Sequence, residues 1–591
     1  MMNSRIIRNT FYAQLAAYVA SALTSTLGSF TDGVIIGRFL GVDSIAAFGI
    51  VSPLIVVFSL AGSIVSTGAR NRFVRLVGSG DIKEAQGVFS LACVLGVGIA
   101  TLMMLVICLF ATPITRLLGA TGSVAYLLPK AKDYLIGTAI GLPARNAMWI
   151  LWAFMPIDND RDLPLIAAAV MTFINTILDL VVVFVIHGDT FEMGIVTTIS
   201  YTVAMFVLLT HFLKKNIILR FSFTHIPWRE SWKLLSQGVS VGVCRLANML
   251  RCAFMNHLLA ATASAFALAA YSVHRQADSL LNPLTIGMAD TVAVLAGVLM
   301  GEEDRPMMKR VLITSVQATF FLTAGMAVLT WVLAPQFASL YVRNEPEALR
   351  LSIIATRCYA AGLPLYGLNL IYMNYLQGIG RSKHASIAGL MLESGFLIIA
   401  AAAMVRRFGP NAVWYSFPVA QLLMLMYYSR LINTERRVMK IQSKEFWDRV
   451  LLLPDSFDVP EADRMDRSIT TMDEVTDLSN AVWRFCDAHG CDPRRRYLMS
   501  LSVEEMAGNV IEHGFTKDKK AHSIDVRVLK KDNDYLIRIR DDCLVFDPVK
   551  QLSLYSSQDP AHHMGLRMII NTAKEVQYTC IMKLNNLLIK V

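Results

Sequence analysis

Charge is scarce in this sequence. Asp, Glu, Lys and Arg supply only 17% of its 591 residues while hydrophobic types supply 54%, and the mean hydropathy of +0.48 lies beyond the range of an ordinary soluble protein. Most of the chain must sit in lipid. The nine cysteines contain no CxxC pair, and Cys93, Cys108 and Cys252 lie in apolar runs. Their spacing indicates neither a zinc site nor a disulfide framework, but reduced, buried thiols. No GxxxxGK[ST] stretch occurs, which excludes a P-loop motor. The net charge of +10 does not point to nucleic acid, because Lys and Arg gather in the loops on one side of a membrane protein for topological reasons. No compact apolar core with a small-residue cleavage site follows Arg5 and Arg8, so the stretch with Tyr18, Ser21 and Thr24 reads as a first membrane helix and not as a removed signal peptide.

What is there divides in two. The hydrophobic excess fills the chain to about Arg430, and beyond about Lys440 charge returns at soluble-protein density. A span needs about twenty mostly apolar residues. On that length, spans fall near 12–34, 45–68, 88–112, 132–156, 163–186, 192–213, 234–260, 264–299, 312–341, 352–378, 385–405 and 411–430, about twelve in all. The expected division is 1–215 and 216–432 for two six-helix lobes, 433–464 for a basic amphipathic segment and linker, and 465–591 for a separate soluble domain.

Basic residues set the orientation. Arg70, Arg72, Arg75 and Lys83 are read in one connection, Lys214, Lys215, Arg220, Arg229 and Lys233 in another, and Arg305, Lys309, Arg310, Arg381 and Lys383 in two more. With alternating spans, all lie on the same side as Arg5, Arg8, Arg436, Arg437 and Lys440, which predicts two cytoplasmic termini. The membrane part also repeats. Gly80-Asp81 recurs as Gly301-Glu302, and Gly141-Leu142-Pro143 as Gly362-Leu363-Pro364, both offset by roughly 221 residues. Two parallel six-helix bundles with a pathway between them are implied, a transporter architecture.

Carboxylates inside a span are costly and so are functional candidates. Asp32 lies late in the first span, and Asn175 and Asp179 share one face of the fifth at i, i+4 spacing. Two acids and an amide oxygen could share a proton or strip water from Na+, or form a polar clamp between helices. In the other half, Arg245, Arg251, Arg275 and Asp278 are placed to pair across the seventh and eighth spans, while Glu393 reads as isolated.

Residues 28–50, GSFTDGVIIGRFLGVDSIAAFGI, with Pro53, and NTILDLVVVFV at 175–185 resemble the first-, second- and fifth-helix motifs of the multidrug and toxin extrusion (MATE) family. The resemblance extends to the doubled layout over residues 1 to about 430. It implies a secondary antiporter of small organic molecules in a bacterial-type inner membrane, with a Na+ or H+ site at Asp32, Asn175, Asp179 and Thr197. The seventh and tenth spans depart from the sodium-coupled members by lacking their further acids, and the seventh carries Arg245 and Arg251 instead.

The stretch from Arg436 to Leu453 is basic and amphipathic and is expected to run along the inner membrane surface. Beyond it the pattern predicts a strand at 466–471, helices at 473–489 and 493–513, strands at 522–531 and 534–541, a helix at 564–574 and strands at 576–582 and 585–590. That order makes an α/β sandwich with helices over one sheet. Glu505 and Asn509 share a helix face, as a base and a magnesium-binding amide need to. Asp541 leaves a strand into a loop, where it could accept from an adenine amino group. Gly565 stands at a helix start, where backbone N–H groups favour phosphate.

In this order the segments Ser502–Gly514, Asp541–Pro548 and Met564–Ile569 resemble the ATP-binding domain shared by histidine kinases, gyrase and, in its EExxxNxxxHG form, the anti-sigma factor serine kinases. The resemblance implies Mg2+ on Asn509, Glu505 as the catalytic base toward a serine hydroxyl, Asp541 on adenine and Gly565 beside the phosphates. It departs at Cys543, where glycine is expected, and at His563-Met564 in the lid. A cytoplasmic protein partner is implied as well. The rival to a regulated transporter is a membrane sensor whose tail phosphorylates a partner serine.

Overall fold

The protein is described here from a computed structural model, which covers residues 42–118, 126–214, 217–222, 226–262, 265–342, 346–443, 445–517, 521–545, 547–548, 564–581 and 583–591, with isolated positions at 12, 15, 16, 20 and 24. The principal membrane-part helices are α1 (Val42–Ser79), α2 (Ile82–Leu109), α3 (Leu128–Ile140), α4 (Leu142–Phe154), α5 (Leu163–Val181), α6 (Thr190–Leu209), α7 (Ser231–Thr262), α8 (Ala265–Gly301), α9 (Arg305–Val342), α10 (Pro346–Gly378), α11 (Ser382–Leu390), α12 (Phe396–Phe408) and α13 (Ser416–Val438). Among the described residues, six helical stretches are long and apolar enough to cross a membrane: Ile82–Leu109, Leu163–Ile186, Thr190–Leu213, Val273–Gly301, Arg305–Ser339 and Ser382–Phe408.

Local chemistry sets the breaks. Pro164 opens α5 at a position that needs no backbone donor. His187 ends the wide turn that follows α5 in the left-handed region. Asp189 and Glu192 then form a reciprocal cap on α6. The repeated Gly-Leu-Pro sequence has two outcomes: it separates α3 from α4, yet lies inside the continuous α10.

Several helices outrun their apolar segments, α1 most of all. Arg70, Arg72 and Arg75, expected in a loop, are in its last turns. Arg70 is buried and pairs with Asp290 of α8 at 3.0 Å. Arg72 donates to both carboxylate oxygens of Glu230 at 3.2 Å. Glycines bring the backbones close at this end: a Cβ on Gly68 would fall 2.0 Å from Leu234 O, and one on Gly78 2.2 Å from Val298 O. The end of α1 thus packs directly, backbone to backbone, on α7 at Gly68 and on α8 at Gly78.

The linker differs from expectation. Its short helix α14 (Phe446–Leu451) and the following residues are packed into the bundle: Leu451, Leu452 and Leu453 are buried in the same core as Tyr372, Tyr375 and Tyr428. Tyr372 and Tyr375 donate to Val450 O at 2.9 Å and Leu451 O at 2.8 Å. Three buried leucines stabilise this arrangement by about 1.5–3 kcal/mol each, so protein and not lipid takes the apolar face.

The C-terminal domain is a five-stranded antiparallel sheet, ordered β1 (Arg464–Ile469), β2 (Ile524–Lys531), β3 (Asp534–Asp541), β5 (Leu584–Lys590) and β4 (Glu575–Ile581). Helices α15 (Met472–Ala488), α16 (Pro493–Asn509) and α17 (Met564–Thr572) cover one face. Thr471 and Glu474 cap α15 reciprocally. Val526, Val528, Ile537 and Ile539 share a core with Val475, Val482 and Val503. By strand alternation Arg527, Arg538 and Arg540 emerge on the opposite face.

Candidate functional site

Three places carry chemistry. In the first half, α5 turns Asn175 and Asp179 inward, 7% and 1% exposed, while Phe173 and Ile177 face out. Asn175 Nδ2 donates to Asp179 Oδ2 at 3.1 Å, which makes the expected i, i+4 pair a contact. Thr197 on α6 donates its hydroxyl to Met193 O at 3.2 Å. Asp32 lies outside the described residues.

In the second half, Arg251 lies 3.6 Å from Asp278 and 3.9 Å from Glu393. Glu393 is not isolated, as its sequence context suggested: Asn248 Nδ2 and the Tyr366 hydroxyl each donate to it at 3.2 Å. Tyr359 donates to Asp278 at 3.1 Å. Arg275 reaches Cys252.

In the C-terminal domain, Glu505 and Asn509 stand on α16, and Gly565 is the second residue of α17. A Cβ on Gly565 would fall 2.2 Å from the Glu505 carboxyl carbon. The Glu505 carboxylate thus rests at the start of α17, where the helix dipole favours an anion. Asp541 is buried at the end of β3. Asn585 Nδ2 donates to its Oδ1 at 2.7 Å and Cys543 N to the same oxygen at 2.9 Å. Burial pushes its pKa above the usual carboxylate value, against the opposing pull of these donors and of the Cys543 side chain. The structure brings Glu505 and Gly565 together. Asp541 is held separately, by β5.

A charge cluster that no local motif signals joins this domain to the membrane part. Glu302, Glu303 and Asp304, in the turn between α8 and α9, lie under the arginine face of the sheet. Arg540 pairs with Glu302 and, at 2.9 Å, with Asp304. Arg527 pairs with Asp304 and with Asp458 of the linker. Arg538 donates to Glu302 O at 3.1 Å, Asn586 to its carboxylate at 2.8 Å, and Lys531 to Glu303 at 2.6 Å. Burial pushes the Asp304 carboxyl up, but Arg540 and Arg527 outweigh it and hold it down at about 2. The first half is engaged too. Asn159, in the left-handed conformation after α4, donates to Cys580 O at 2.7 Å and accepts from Lys583 N at 2.5 Å. Gly80 meets the side chain of Gln577. One domain therefore touches both halves, at the end where α1 and α8 are zipped.

Comparison with known proteins agrees with this architecture. The MatE family model matches residues 17–181 and 244–395, and a histidine kinase-like ATPase domain model matches 470–588. The chain belongs to the MatE family and carries a histidine kinase-like ATPase domain at its C-terminal end. It is similar to the multidrug export protein MepA of Staphylococcus haemolyticus, 21% identical over 435 residues, covering 72% of this chain and 94% of that one. MepA of Staphylococcus saprophyticus is 22% identical over 391 residues, covering 65% and 84%. The bent form of the Vibrio cholerae MATE transporter VcmN shares the fold, with a TM-score of 0.67 at 18% identity over 73% of this chain and 99% of that one.

Proposed function

We propose that this protein is a secondary active exporter of small organic molecules, driven by Na+ or H+ and regulated by its ATPase-like domain on the cytoplasmic side of a bacterial-type inner membrane. The observation that carries the transport reading is the buried Asp179 paired with Asn175 inside a membrane-crossing helix. A carboxylate held there is stabilised by binding a cation or a proton, and its charge then depends on which side of the membrane it faces. Asp32 and Thr197 complete the proposed site, and the relatives' printed role in multidrug export supports the direction and substrate class.

The domain's contacts with both halves support regulation. If the pathway opens toward the domain, α1 must part from α8, and a domain joined to Asn159 and Gly80 on one half and to Glu302 and Asp304 on the other resists that parting. The residues fit ATP: Gly565 leaves room that a Cβ would fill, and the buried Asp541 carboxyl, oriented by Asn585 and Cys543, is proposed to accept from an adenine amino group. Bound ATP with Mg2+ supplies a transferable phosphoryl group and a dense anionic charge. Asn509 is proposed to hold the Mg2+. The Glu505 carboxylate, now at the start of α17, must yield that position to the phosphates, which would set it as a base toward a serine hydroxyl of a cytoplasmic partner protein. The deciding experiment is flux in oriented vesicles with the ion gradient and ATP varied independently. Flux that follows the gradient and is modulated by ATP supports the proposal, and accumulation driven by ATP alone overturns it.

A further inference from the structure

We infer that His522, Asp542 and Cys543 form a binding site for a zinc-class divalent cation beside Asp541. One ligand atom from each lies within 4.8 Å of the others. The end of the sheet brings them together: β2 and β3 pair Ile524 with Asp541, so His522, just before β2, and Asp542 and Cys543, just after β3, leave the sheet at the same end. Spacing along the chain gives no CxxC or HxxxH signal, because the imidazole precedes β2 and the thiol follows β3.

The chemistry of the three groups is that of a zinc site: a borderline-soft thiolate, an imidazole and a carboxylate. In a tetrahedral site, such ligand atoms stand roughly 3.3–3.8 Å apart, so small side-chain movements close this one. His522 Nδ1 and Asp542 Oδ1 are already 2.9 Å apart and share a proton. A cation entering between them takes that proton's place on Nδ1, and the imidazole stays neutral by carrying its proton on Nε2. Charge balance suits the location. On binding, the Cys543 thiol gives its proton to solvent, and one thiolate with one carboxylate then neutralises a dication. The His522 side chain is 1% exposed and Asp542 19%, a setting in which a neutral assembly costs far less than an unbalanced charge. Room for sulfur comes from Gly514, where a Cβ would fall 3.2 Å from Cys543 Sγ, and the Phe515 ring packs on His522 at 5.5 Å.

Cys543 stands where the resembled ATP-binding domains are expected to carry glycine, and its N–H already holds Asp541. A metal on its sulfur therefore ties the end of β3 to the start of β2, beside the turn that ends α16. The cation orders the loop that presents Asp541.

Cobalt tests this without nucleotide, so its outcome is separate from the ATP assignment. The full chain in detergent is stripped with a chelator and titrated with Co2+. The site predicts a thiolate-to-cobalt charge-transfer band saturating near one equivalent and bleached by Zn2+. Cys543→Ser abolishes the band while Cys580→Ser keeps it, and Asp542→Asn keeps it but weakens binding by at least the ~10-fold typical of losing even an outer contact. No band in wild type, or a band unchanged in Cys543→Ser, overturns the site. The wild-type titration decides even where a variant fails to fold.

Discussion

Arg540 and Asp541 are neighbours on one strand that work in opposite directions. The guanidinium of Arg540 crosses to Glu302 and Asp304 of the membrane part, while the carboxylate of Asp541 is held within the domain by Asn585. A shift of the turn between α8 and α9 thus acts on the residue beside the proposed adenine contact. The path is one peptide long.

Removing one partner of a buried charge cluster leaves the others uncompensated. Arg540→Ala should therefore destabilise docking by about 3–5 kcal/mol. Differential proteolysis of the linker near Asp458 should show the loss. Replacing the exposed Lys531, whose partner Glu303 is also exposed, should cost no more than about 1 kcal/mol.

The same cluster sets an acid limit. Asp304 is ionised down to about pH 2 when docked, against 3.8 when free. A depressed acid contributes stability that is present above the free value and is lost as pH falls through the docked one. Docking should persist at pH 5 and fail progressively between pH 4 and 2, and Asp304→Asn should be weakly docked at neutral pH. A variant with the wild-type acid profile would remove Asp304 from the account.

Asp179→Asn should abolish ion-coupled efflux at equal expression and insertion, because the amide is easier to bury than the acid yet cannot exchange a proton or balance a cation. Efflux that is unchanged would dismiss the coupling role.

The domain from about Asp463 has its own core and should fold alone. Mg-ATP at 100 times its Kd should then stabilise it by about 2.7 kcal/mol, and GTP should not. Asp541→Ala should lose that gain. Glu505→Ala should keep binding and lose any transfer to serine. Equal ATP affinity in wild type and Asp541→Ala, by calorimetry, would sink the nucleotide assignment.

Much of this architecture was legible because lipid and sheet alike impose periodicity. Apolar length placed the expected spans from 88–112 onward, the first, 12–34, lying largely outside the described residues, and the caps at Asp189 and Thr471 mark helix starts that a sequence can show. Helix ends beyond the apolar stretch were not legible: α1 continues past Arg70 because Asp290, 220 residues away, accepts its charge. The pair Asn175 and Asp179 was visible through helical spacing, whereas Glu393 looked alone because Asn248 lies 145 residues off. Most opaque was the docking face. Arg538 and Arg540 alternate with Ile537 and Ile539 as on any solvent-facing strand, and nothing local distinguishes water from a buried acidic turn. The linker misled for a related reason, since an amphipathic segment suits a bilayer surface and a protein groove equally.

The central claim is that the ATPase-like domain controls an ion-driven transporter through its grip on the α8–α9 turn. Flux measured in proteoliposomes under a fixed ion gradient, with Mg-ATP present or absent on the domain side, tests it in wild type and in Glu302→Gln. The account predicts that ATP changes the wild-type rate and leaves the variant's rate unaltered, with both still requiring the gradient. A variant that responds to ATP as wild type does, or flux without a gradient, would contradict it.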